Sequence, residues 1–233
     1  MGACGQTSLI MCSVRSTYCV SQTEDEKAML ALNDGDYALA QQILEALIAK
    51  YPLEYFRYPR LAATYASEAG FLLTNIVDLN TSASSSLFDQ VRAFLPTPNA
   101  QDLGAFQGQL KKMGQARSLL LLMPKIQRMQ GTSFYGASAE FQLVLYQFAY
   151  SIMFLNQFAV MTSSGKLDPK ILATMTVADA VLIFTNLAQA AQYAGLENPS
   201  FGQAVAEVTT QIQAKDGADD RAKMIQFLQT QNE

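Results

Sequence analysis

The longest uncharged run that reads as a single helix, Phe141 to Met161, places Phe, Tyr, Leu, Ile, Val and Met at nearly every angular position. A helix that is apolar all round has to be enclosed by other helices or by lipid. Its length is that of a bilayer span, about 20 residues. Gln142, Gln147, Asn156 and Gln157 argue against a span, because each amide would need a partner in hydrocarbon, and no basic cluster flanks the run. The pattern predicts the central, buried helix of a helical domain, over about residues 134–163.

The same 3.6-residue spacing recurs along the chain. Thr23 and Glu26 form a T-x-x-E capping box for a helix to Asn33. After the turn Asp34-Gly35-Asp36, Tyr37, Ala40, Leu44, Leu47 and Ile48 mark a second helix that Pro52 ends. A third is expected from Leu61 past Gly70 to Leu79, its small residues Ala62, Ala66, Ala69 and Gly70 admitting a crossing helix or a ligand. The polar loop 80–86 follows, then a helix over 87–95, and one from Asp102 to Met129 that Pro124 must kink or break. A turn is read at Gly131-Thr132-Ser133. Asp168-Pro169 and Asn198-Pro199 each give an N-cap followed by proline at the first helical position, the first helix breaking near Thr176. A last helix is expected over 219–231. No stretch alternates as a strand would, so the fold class is all-α: a helical-hairpin start over 22–79 packed on a multi-helix bundle over 84–233, about eight or nine helices in one domain, after a tail of residues 1–21.

Within that start, Gly35-Asp36-Tyr37, Ala40, Leu44 and Pro52 fall at the offsets of a tetratricopeptide repeat, and Ala28 stands where the family has a small residue in the first helix, although the family's aromatic and Gly there are absent. Residues 21–54 therefore resemble one such repeat, although the 34-residue period does not continue. The resemblance implies two closely packed antiparallel helices and a general protein-binding role, with a groove near residues 24–75.

Composition narrows the function. A chain of 233 residues, 50% hydrophobic and 15% charged, can build a large core. A net charge of −4 with scattered Lys and Arg gives no footprint for nucleic acid or an anionic membrane. There is no His, the usual general base and the commonest catalytic metal ligand, which removes most hydrolase and metalloenzyme designs. The inner-looking acids Glu68, Glu140 and Asp179 stand alone on small or apolar stretches, and read as paired or rim carboxylates. No phosphate-binding or nucleophile motif occurs. Gly104, Gly108 and Gly114 have close-packing spacing, and Lys111, Lys112, Arg117, Lys125 and Arg128 read as a solvated face. The expectation is a protein that is not an enzyme and needs no metal or cofactor.

All three cysteines, Cys4, Cys12 and Cys19, lie in the tail, at spacings unlike those of a zinc site. Met1-Gly2-Ala3-Cys4 resembles the end of a lipobox, where small residues precede the lipidated Cys. That resemblance implies a bacterial lipoprotein, similar to envelope lipoproteins of unassigned function, with Cys4 acylated and Cys12 and Cys19 free to pair in an oxidising compartment. The alternative is three ordinary thiols in a tail. The functional expectation is an exported, non-enzymatic adaptor or assembly protein, periplasmic and lipid-anchored at the outer membrane, whose only membrane contact is its anchor. It binds a protein partner in an envelope complex and no nucleic acid. The alternative is a carrier of an apolar small ligand, the soluble component of a transport system. Tyr37, Tyr65, Glu68, Gly70 and Glu140 are the candidates to face partner or ligand.

Overall fold

The computed structural model describes residues 16–72, 87–98, 102–130, 138–162, 165–197 and 199–231. Among them run eleven helices: α1 (Ser16–Asn33), α2 (Tyr37–Lys50), α3 (Arg57–Glu68), α4 (Leu87–Phe94), α5 (Leu103–Leu121), α6 (Lys125–Gln130), α7 (Ala139–Asn156), α8 (Pro169–Leu172), α9 (Val177–Glu197), α10 (Pro199–Gln213) and α11 (Asp220–Thr230). Met161 and Leu167 form an isolated antiparallel bridge. The two helices beyond the expected nine come from the breaks at Pro124 and Thr176, each of which separates two helices instead of bending one.

The long helices pack in succession, α1 on α2, α2 on α3, α3 on α5, α5 on α7, α7 on α9 and α9 on α10, with α11 laid across α9 and α10. Helix α7 lies in the middle and also touches α3, α4 and α6. Its enclosure follows from its pattern: nearly every residue from Ala139 to Asn156 is buried. The expected amide partners are present at two positions. Gln142 Nε2 donates to Pro59 O at 2.9 Å and to Tyr146 Oη at 2.7 Å, and Gln147 Nε2 donates to Gln189 Oε1 at 2.6 Å. The helix ends at Asn156, short of the expected 163, and no described helix is long and apolar enough to cross a membrane. One contiguous core runs from Ala28 to Leu228, with Phe201 set edge-on to Phe148 and Phe141.

Three local readings need correction. Helix α1 begins at Ser16, so Thr23 and Glu26 lie inside it; a T-x-x-E pattern marks a start only where the preceding residues leave the helix. Helix α3 begins at Arg57 and stops at Glu68, because Gly70 takes φ +82°, and the amides of Gly70 and Phe71 return to Ser67 O and Ala66 O at 2.9 Å. Gly70 is therefore a C-terminal cap and not a mid-helix glycine. Of the three glycines read as close-packing, only Gly114 is approached, by the Tyr150 ring. The loop 80–86, the turn at 131–133 and Asn198 lie outside the described residues.

Candidate functional site

The α1–α2 hairpin is built by its turn. Gly35 adopts φ +79°, open to glycine without cost, and the Asp36 side chain caps α2 by accepting from Leu39 N at 3.1 Å. Ala28, Ala40 and Leu44 are completely buried, and Tyr37 packs half-buried against Ala31, Leu32, Ala40 and Ala63. With Ala40, Leu44 and Leu47 turned inward, a second stripe of α2 at Leu39, Ile43, Ala46 and Lys50 is left half-buried or exposed. It lines a groove of about 330 Å³ together with Glu24, Gln42, Leu47 and Tyr51. The floor is aliphatic, and a carboxylate and an ammonium stand at the rim. The groove lies within the expected span 24–75, but none of its lining residues is among the candidates named from the sequence. Their signal was present, since apolar side chains on α2 exceed the one stripe that a single packed face uses.

Beside the groove, three helices are clasped by polar side chains. Lys112 on α5 donates to Glu68 Oε2 on α3 at 2.7 Å and to Gln41 Oε1 on α2 at 2.9 Å, and its ammonium lies 5.1 Å from the centre of the Tyr65 ring. The Tyr65 hydroxyl donates to the Glu45 carboxylate on α2. Burial pushes the Tyr65 phenol well above its ordinary value of 10.0, reinforced by that bond and by the negative charges of Glu45 and Glu68. The candidates Tyr65 and Glu68 are thus brought together, with Lys112, Gln41 and Glu45 as partners that the sequence did not pair with them.

The other candidates lie apart. Gly70 is approached by Pro96, whose Cγ would stand 2.9 Å from an added Cβ, so the close neighbour expected there is a proline ring. Glu140 is buried and paired with Arg128, whose Nη1 also donates to Met123 O at 2.6 Å; it joins α6 to α7 and presents nothing to an accessible face. Glu68 and Glu140 therefore each pair with a cation rather than with one another. Asp179 caps α9 through Thr176 N and Oγ1. The solvated face read for the α5–α6 cations is corrected in the same way: Lys112 and Arg128 are ion-paired, and Arg117 lies 5.2 Å from the Tyr150 ring centre. Cys4 and Cys12 lie outside the described residues, as does the side chain of Cys19.

A third polar junction was not anticipated. Arg57, at 1% exposure, is held by Asp25 of α1 and by Glu54, between the rings of Tyr51 and Phe56. It fixes α1 against α3 behind the groove. No family model, curated protein or solved structure matches the chain. Among the described residues no group of three His, Cys, Asp or Glu could hold a metal ion. Chemically the arrangement is an aliphatic trough with a carboxylate and an ammonium at its rim, a surface suited to apolar contact with polar atoms at its edge.

Proposed function

We propose that the protein is a non-enzymatic adaptor of the bacterial cell envelope, anchored through a lipid on Cys4, that holds an apolar segment of a protein partner in the α1–α2 groove. The observation that carries the reading is the half-exposed stripe Leu39, Ile43 and Ala46 running beside a rigidly capped hairpin. An amphipathic helix laid in such a groove would place side chains at i, i+3 and i+4 on that floor. The resemblance of residues 21–54 to a tetratricopeptide repeat supports a protein occupant, and the confinement of cysteine to the tail supports the envelope address.

The carrier of an apolar small ligand is the second reading. It is favoured by the volume of the groove, about 330 Å³, which lies at the lower end of small-molecule sites. A photo-crosslinking residue in place of Ile43, used in cells of the native host, separates the two. A discrete protein adduct that disappears with Leu39→Glu supports the adaptor. Crosslinking to no protein, with a small molecule retained in native mass spectrometry, sinks the adaptor and leaves the carrier.

A further inference from the structure

The α5–α6 corner exposes apolar side chains of its own. Leu121, Leu122, Ile126 and Met129 are 48%, 71%, 61% and 54% exposed, although the sequence around them is among the most apolar in the chain. Met123 and Arg128 take the inward positions, Arg128 by its bonds to Glu140 and Met123 O. Leu121 and Leu122 before the break at Pro124, and Ile126 and Met129 after it, are thus all exposed within nine residues, with Lys125 exposed among them. Four such side chains present a few hundred Å², short of the roughly 800 Å² a side that a stable dimer buries.

Charge selects the occupant. Residues 103–130 hold five cations and no carboxylate in a protein whose net charge is −4; Glu68 and Glu140 hold Lys112 and Arg128, so the charge open to solvent is that of Lys111 and Lys125. Lys111 and Lys125 are exposed, and the Lys125 ammonium stands 5.6 Å from the centre of the Tyr193 ring, at the edge of the apolar face. Aliphatic side chains with a cation at their rim suit the boundary between the headgroups and acyl chains of a bilayer.

We propose that the α5–α6 corner is a lipid-contact site, in which Leu122, Ile126 and Met129 enter the interface of an anionic bilayer and Lys125 meets its phosphate groups. This site is separate from the groove and needs no lipid on the chain. It adds a contact of the protein itself to the anchor expected from the sequence.

The test uses the full chain with Cys4→Ser, which cannot be acylated, and vesicles of phosphatidylethanolamine and phosphatidylglycerol. The chain floats with these vesicles more than with phosphatidylcholine alone. Leu122→Glu with Ile126→Glu lowers the vesicle partition constant by about a hundredfold or more, the loss expected when two aliphatic side chains no longer leave water. Since the chain has no Trp, Ile126→Trp supplies a single reporter that keeps the face apolar. Its emission shifts to the blue with the vesicles, whereas Leu53→Trp, on the α2–α3 turn, does not shift. Absence of flotation, flotation that the double substitution leaves unchanged, or a concentration-dependent dimer that this substitution dissociates would each overturn the proposal.

Discussion

Arg57 reaches Asp25 with two nitrogens, Nε at 2.9 Å from Oδ1 and Nη2 at 2.7 Å from Oδ2, across a sequence separation of 32. The pair is almost fully buried, and Glu54 supplies a second carboxylate to the same guanidinium. Burial opposes the charge on Arg57, yet the bonds and charges of Asp25 and Glu54 outweigh it and raise the guanidinium above its ordinary value.

Removing one partner leaves the other charge buried. Arg57→Met is expected to cost about 3–5 kcal/mol. The double change Asp25→Leu with Arg57→Met recovers most of that loss, because an apolar pair has no charge to desolvate. Urea unfolding of the native chain and the two variants gives the comparison. A single substitution as mild as the double one would show that water reaches Asp25.

The glycines of the two turns offer a matched pair. Gly35 and Gly70 have nearly the same positive φ, but a Cβ at Gly35 meets open space and one at Gly70 meets Pro96. Gly35→Ala should cost about 1 kcal/mol for the left-handed backbone alone. Gly70→Ala should cost about 1–3 kcal/mol more, as overpacking does, and Pro96→Ala in the same chain should return that excess. Equal costs at the two sites would mean that Pro96 moves aside freely.

Tyr65 sets an alkaline limit. Its folded-state value lies above the unfolded 10.0, so the folded protein retains a phenolic proton that the unfolded chain releases. The stability it contributes is complete below pH 10 and is lost as pH rises further. The melting temperature of the native chain should therefore fall more steeply above pH 10 than that of Tyr65→Phe. Parallel curves for the two proteins count against a Tyr65 hydroxyl held by Glu45.

The sequence by itself determined what rests on local chemistry. Asp36, Asp168 and Asp219 cap helices where short polar side chains precede apolar periodicity. Pro124 and Thr176 interrupt them, and the uncharged run around Phe148 is enclosed because no polar face remains to meet water. The tertiary structure alone decided which charges meet and which apolar stripes stay uncovered. Asp25 with Arg57, Glu68 with Lys112 and Glu140 with Arg128 are joined by packing of one helix on another, and side-chain spacing within one helix carries no record of a partner on the next. Periodicity put Leu44 on the inward stripe of α2, but it did not say that Ile43 would floor an open groove or that Ile126 would stand at an exposed corner. Hydrophobicity is a property of the side chain, whereas burial depends on what the rest of the fold brings against it.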